Sequence, residues 1–142
     1  MIIRGKDVPA PDAGEVFGQP KMGITQQWLV SSKTGDEKYR RSFAMRRYTS
    51  KPGAPGNIVM HYHDYQEAMF VIRGHIKVKT EDEDWTEMGP GDVLYTYPNQ
   101  SHMLGNIDGD EIVDVICCID HSGESLNPEK NAYLIKLDPW RL

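Results

Sequence analysis

The stretch Gly56-Asn57-Ile58-Val59-Met60-His61-Tyr62-His63-Asp64-Tyr65-Gln66-Glu67-Ala68-Met69-Phe70-Val71-Ile72-Arg73-Gly74 decides how the rest of the chain is read. Asn57 to Tyr62 and Ala68 to Ile72 are apolar-rich runs of strand length separated by a polar turn, and Gly74 marks a tight connection after the second. The next segment, His75 to Thr80, alternates Ile76 and Val78 with His75, Lys77 and Lys79, the pattern of a strand wet on one face. Outward from this block the same rhythm recurs at Ile24 to Val30, Ser42 to Thr49, Val93 to Tyr97 and Glu111 to Ile119. Pro52-Gly53-Ala54-Pro55-Gly56 and Gly89-Pro90-Gly91-Asp92 supply the breaks. Almost nothing has helical period. Evenly spaced short strands with Gly/Pro turns predict an all-β sandwich or barrel. Glu111 to Ile119 is apolar on both parities except at Asp114, so cover on both faces is expected. Tyr133 to Leu137 reads as an edge strand or a short helix, ended by Pro139. The organisation expected is an N-terminal extension over residues 1–22, a barrel over 23–126, and a tail over 127–142 packing on or beside it.

Composition narrows the function classes. A chain of 142 residues with 39% hydrophobic content can bury one core. Its net charge of −5 offers no basic excess for holding nucleic acid by bulk charge. No apolar run approaches the ~20 residues that span a bilayer, and charge interrupts Met1-Ile2-Ile3-Arg4 before a secretory signal develops. A cytoplasmic location without membrane or nucleic-acid partners is expected. Cys117 and Cys118 are adjacent and cannot staple distant segments. The charge is unevenly placed: residues 1–50 hold nine Lys/Arg against five Asp/Glu, the remainder seven against sixteen. Within the basic cluster Lys38, Arg40, Arg41, Arg46 and Arg47, an arginine could hold a substrate carboxylate through a bidentate pair. The acidic run Glu81-Asp82-Glu83-Asp84 reads as a solvated hairpin loop.

The chemistry-bearing residues are His61, His63, Glu67 and, farther on, His102. Residues i and i+2 of a strand face the same way, so His61 and His63 project into one space. Imidazoles suit Fe, Mn, Ni, Zn or Cu. A carboxylate four residues later, past a turn, and a histidine from a neighbouring strand could complete a site with open positions for substrate. A lone His-x-His on a strand is more commonly a surface or core feature, so this pattern needs its glycine context.

In that context, Gly56-x4-His61-x-His63-x3-Glu67-x6-Gly74 resembles the first signature of the cupin family, and Gly91-x6-Pro98-x3-His102-x3-Asn106 resembles the second. Gly56 to His61 is one residue shorter than the commonest pattern. Gly91 to Pro98 is one longer, and Pro98 to His102 one shorter. Every ligand-type position is nevertheless filled. The resemblance implies a cupin-type double-stranded β-helix, a jelly-roll barrel, with His61, His63, Glu67 and His102 on one divalent transition metal per chain, Fe(II) favoured. It further implies a small oxygen-rich metabolite as substrate and a mononuclear metal oxygenase as the leading activity. The alternatives are an isomerase or lyase using Asp114 as acid/base, and a non-catalytic ligand-binding protein.

Two residues are candidates for catalysis beside the metal. Asp114, alone in an apolar strand, is a general acid or base if its face is interior, and structural if it points outward or into a dimer contact. On the preceding strand Phe43 and Met45 look like the interior set, which would carry Arg47 inward as an anion clamp; the alternative is a snorkelling surface arginine. Cys118 shares the parity of Asp114 and could face the pocket mouth while Cys117 packs in the sandwich. Gln66, Tyr65 or Asn106 could orient a ligand or a loop. His75 and His121 read as exposed or loop histidines. The doubly covered last strand makes a homodimer the expected assembly.

Overall fold

The computed structural model describes residues 2–19, 21–31, 43–53, 58–106, 110–120 and 136–137. Among the described residues ten strands follow one another: β1 (Ile24–Val30), β2 (Phe43–Ser50), β3 (Ile58–Tyr62), β4 (Glu67–Arg73), β5 (Ile76–Thr80), β6 (Thr86–Met88), β7 (Val93–Thr96), β8 (His102–Asn106), β9 (Val113–Asp120) and β10 (Lys136–Leu137). They form two five-stranded sheets, in orders β1-β2-β9-β4-β7 and β10-β3-β8-β5-β6, with every pairing between these strands antiparallel. Chain neighbours repeatedly cross from one sheet to the other, so the inner faces of both enclose one core. This is the all-β sandwich or barrel expected from the strand rhythm, in the jelly-roll form that the cupin resemblance implies.

Alternation explains which side chains face that core. Tyr48 on β2, Met69 and Val71 on β4, Val78 on β5, Leu104 on β8 and Val115 on β9 are all buried in one cluster. Full burial of such side chains contributes about 1.5–3 kcal/mol each before entropy is counted. Gly74 makes the β4–β5 turn possible: its φ is +76°, and a Cβ there would stand 2.6 Å from the Ile112 carbonyl oxygen. Any side chain at this position therefore meets both a backbone clash and a left-handed conformation.

The segment before β1 packs into the same core. Asp12 accepts hydrogen bonds from the backbone N–H groups of Gly14, Met22 and Gly23, at 2.9 Å each. This carboxylate folds a segment without regular period into a compact loop, and Ala13, Phe17 and Met22 enter the core cluster from it. Gln26 N–H then donates to the Pro11 carbonyl at 2.9 Å, fastening the loop to β1.

Two strands, β6 and β8, are additions to the strands expected from sequence. The segment expected to be either strand or helix contains β10, whose Lys136 and Leu137 pair with Tyr62 and His61; Tyr133 to Ile135 and Pro139 lie outside the described residues, as does His121. No helix among the described residues is long and apolar enough to cross a membrane.

Candidate metal centre

A register shift in β3, between Ile58 and His61, places the site. Strict alternation from Ile58 would send His61 outward. The irregularity changes the parity, so that Ile58 and His61 both line the interior, and His63 follows on the same side one residue past the strand. His102 opens β8 directly opposite His61. The three rings gather closely, with centroids 4.3 Å apart for His61–His102, 4.9 Å for His63–His102 and 6.0 Å for His61–His63. All three residues are at most 5% exposed.

Each ring is oriented by the same device. Nδ1 of His61 lies 2.7 Å from the Val59 carbonyl, that of His63 2.8 Å from the Tyr65 carbonyl, and that of His102 2.9 Å from the Gln100 carbonyl. A carbonyl only accepts, so Nδ1 is the N–H donor in each ring and Nε2 of the neutral ring carries the lone pair. Each histidine thus presents one ligand atom, and the three ligand atoms of the cluster lie within 4.8 Å of one another. The turn before His102 supports this arrangement. Asn99, at φ +67°, donates its backbone N–H to the His63 carbonyl at 2.6 Å, tying together the segments that carry His63 and His102. Tyr65 stacks flat on His63, with centroids 4.0 Å apart and planes 4° from parallel. Phe17 closes against His61 edge-on at 5.3 Å.

Glu67 stands beside this cluster rather than within it. Its Oε2 lies 3.3 Å from His63 Nε2 and accepts a hydrogen bond from Arg46 at 2.6 Å. Glu67 and Arg46 are both almost completely buried, at 5% and 3% exposure. Burial alone would raise the Glu67 carboxyl, but the Arg46 guanidinium beside it holds it well below the usual carboxylate range. The guanidinium in turn lies 5.1 Å from the Trp28 ring and 5.4 Å from that of Tyr48. Burial, with the charge of neighbouring His102, keeps His61 well below its ordinary value; burial, with His63, lowers His102 to about 4. Both are neutral at physiological pH, the form that binds metal.

These residues fit a metal ion. Buried His63 Nε2 has no hydrogen-bond partner, and it faces a carboxylate oxygen 3.3 Å away. Two electron-rich atoms this close in a buried site call for a shared cation. Three imidazole nitrogens with one adjacent carboxylate form a donor set suited to first-row transition metals.

The structure separates the other two sequence candidates from this cavity. The inward parity of β2 is Ala44, Arg46, Tyr48 and Ser50, all buried, whereas Phe43 is 41% exposed. Sorting by apolar residues chooses the wrong face here, because the interior of β2 serves a polar site. Arg47 therefore points outward. Its Nε and Nη2 bond both carboxylate oxygens of Asp114, at 2.8 and 2.5 Å, and Thr49 donates to Asp114 at 2.6 Å. Asp114 is opposite in parity to Val113, Val115 and Cys117, which face the core. Although burial raises the Asp114 carboxyl, its bonds to Arg47 and Thr49 bring it below the ordinary value. It is an ionised structural partner of Arg47. Cys117 is buried in the core, as expected, whereas Cys118 has the outward parity and is only partly buried rather than facing the pocket mouth.

Of the candidate orienting residues, Tyr65 acts on His63 directly. Gln66 instead bonds Asp120 and Tyr95 at the surface. The side chain of Asn106 lies outside the described residues, as do Lys38, Arg40 and Arg41. His75 is half-exposed and paired with Glu111 at 2.9 Å. The residue missed from sequence is Arg46. It belongs to the basic cluster, and the available signal was that its parity also carries Tyr48.

A two-sheet jelly roll with a buried histidine cluster on one end of the facing strands defines a class of small barrel proteins built for a metal or a compact ligand. Residues 46–119, about half of the chain, match the family described as Cupin domain. The chain belongs to the cupin family. Among solved structures, it resembles a cupin 2 domain-containing protein from Halorhodospira halophila, with 24% identity over 73% of this chain and 68% of that one, at a TM-score of 0.61. A cupin-2 domain protein from Rhodospirillum rubrum matches with a TM-score of 0.68 and 15% identity, covering 97% and 80% respectively. The polyketide cyclase RemF from Streptomyces resistomycificus matches with a TM-score of 0.66 and 16% identity, covering 92% and 90%. At these identities the likeness concerns the fold. No curated protein matches the chain.

Proposed function

We propose that this chain is a metal-dependent enzyme acting on a small metabolite with oxygen donors, and that its activity is that of a mononuclear oxygenase. The observation that carries the reading is the shared orientation of His61, His63 and His102, each tied through Nδ1 to a carbonyl and offering Nε2 inward. A bound divalent metal, Fe(II) favoured, with Mn, Ni, Zn or Cu also suited to the donors, would supply Lewis acidity and, if redox-active, activation of dioxygen.

The protein's own groups favour this reading over an isomerase or lyase. Acid/base chemistry needs a side chain poised near the working pH. Asp114 faces away from the cavity. Glu67, which lines it, is held ionised by Arg46, and burial pushes the Tyr48 phenol above its ordinary value. Arg46 and Glu67 position one another and leave the reacting proton chemistry unserved, whereas redox chemistry does not depend on such a side chain. The test is oxygen consumption by iron-loaded protein across a panel of chelating carboxylates and enols. Consumption coupled to loss of one compound supports the reading; conversion of a compound under strict anaerobiosis contradicts it. A ligand recovered unaltered after saturable binding points to the non-catalytic alternative.

A further inference from the structure

On one side of the barrel the two sheets end in short strands, β6 in one and β7 in the other. Among the described residues β6 pairs with β5 alone and β7 with β4 alone, so the outer hydrogen-bonding edge of each meets no further strand. Between them lies a cavity of about 160 Å³, with Val78, Met88 and Leu94 in its walls and Val93, Glu83 and Asp84 exposed around its mouth. None of its lining residues belongs to the histidine cavity. Apolar cavities of ~150 Å³ take up benzene, so a leucine or phenylalanine side chain is about the right size for this one.

Strand β7 lacks the usual protection of a sheet edge. Val93-Leu94-Tyr95-Thr96 holds neither charge nor proline, and Val93 and Tyr95 are exposed. A bare edge of this kind invites another strand. The surrounding charge decides which strand is suited. Residues 77–92 hold Lys77 and Lys79 against Glu81, Asp82, Glu83, Asp84, Glu87 and Asp92. The acidic loop is held in place before any partner arrives. Thr80 N–H donates to the Glu83 carbonyl and Glu83 N–H to the Thr80 hydroxyl, both at 3.1 Å. Tyr97 and Gln100 donate to Asp82 at 2.6 and 2.8 Å. Asp84 pairs with Lys79 at 3.5 Å, whereas the Glu83 carboxylate has no partner among the described residues. A second copy of this chain would bring the same acidic loop to the groove and meet like charge.

We propose that the groove between β6 and β7 binds an extended, basic segment of a partner protein, which adds a strand to the edge of β7, inserts one leucine- or phenylalanine-sized side chain between Val78, Met88 and Leu94, and sets lysine or arginine against Glu83. Strand addition takes its affinity from main-chain hydrogen bonds and its specificity from pockets for alternate side chains, and this groove supplies an edge and a pocket together. Alternate residues of a strand point to opposite sides, so the segment that suits it alternates apolar with cationic residues.

The experiment titrates full-length protein calorimetrically with amidated pentapeptides Lys-X-Lys-X-Lys, X being Ala, Val, Leu or Phe. The Leu or Phe peptide should bind at least about tenfold more tightly than the Ala peptide. N-methylation of one alternate set of backbone amides should abolish binding, and of the other set spare it. Glu83→Lys, on an exposed loop, should weaken binding about tenfold. Asp7→Lys makes the same charge change in the segment fastened to β1, at the opposite margin of the sheet, and should leave binding unchanged. Leu94→Phe, which fills the cavity, should erase the preference for Leu or Phe over Ala; Val93→Lys, at the exposed mouth, should weaken every peptide and tests the groove if the first variant fails to fold. Binding of no peptide below about 1 mM overturns the proposal. So does binding that Glu83→Lys leaves intact, that shows no preference among the X residues, or that tolerates either set of N-methyl groups. Phenethylammonium binding as tightly as the best peptide would assign the cavity to a small hydrophobic cation and overturn strand addition.

Discussion

Replacing Arg46 by methionine keeps much of the side-chain volume and removes the charge. Glu67 is then left 5% exposed, without the guanidinium that bonds its Oε2 at 2.6 Å. Breaking one partner of a buried ion pair costs about 3–5 kcal/mol, because the remaining charge has neither water nor a counter-ion. The Arg46→Met variant should lose about this much stability at pH 7 in urea denaturation of the metal-free protein. Replacing both members, as Arg46→Met with Glu67→Gln, should recover most of the loss, since no buried charge remains; the cycle should show at least about 2 kcal/mol of coupling. A second signature comes from proton uptake. Without Arg46, burial raises the Glu67 carboxyl, so the folded variant binds a proton that the unfolded chain does not. Its deficit should narrow between pH 7 and pH 5. A single variant within about 1 kcal/mol of the parent, or two substitutions that simply add, would refute the buried pair.

The other predictions concern the histidines and the N-terminal loop. His102 has its folded value lowered from 6.5 to about 4, and His61 is shifted the same way. The unfolded chain then binds more protons below pH 6.5, so metal-free stability should fall as pH drops from 6.5 to 4, by roughly 3 kcal/mol from His102 alone; a flat urea midpoint across that window would contradict it. Phe17→Ala should cost about 3–5 kcal/mol, as for other fully buried aromatics, and should shift the ring resonances of His61 in NMR spectra. A loss under about 1 kcal/mol would mean that the loop before β1 is not part of the core.

The fold was legible in the sequence wherever local pattern and global architecture agreed. Alternating Ile76 and Val78, Gly74 between two strands, and the glycine-proline breaks each translate directly into β4, β5 and the turns around them. Strand β8 is harder to read because His102-Met103-Leu104-Gly105-Asn106 mixes a ligand, a glycine and only two apolar residues, so pairing rather than composition makes it a strand. The loop carrying Phe17 and Met22 has no period at all. Its order comes from Asp12, whose carboxylate gathers the nearby Gly14 N–H and the N–H groups of Met22 and Gly23, ten and eleven residues on.

At the site, chemistry was more legible than direction. His61, His63 and His102 could be chosen by type and spacing. Their convergence depends on a register shift in β3 that alternation alone does not reveal. The choice of Arg47 over Arg46 failed for a related reason. Apolar residues normally mark the inside face, but on β2 the inside face carries a buried charge and the outside face carries Phe43 and Met45. Asp114 likewise stands out in an apolar strand, yet that signals a cross-strand partner in Arg47 as readily as an interior acid.

The most direct test of the account is metal content. Protein reconstituted with Fe(II) or Zn(II) and freed of excess metal should hold one ion per chain. His63→Ala and His102→Ala should each strip it, while Arg47→Ala should retain it. Full stoichiometry in either histidine variant, with the fold intact by circular dichroism, would contradict the three-histidine centre.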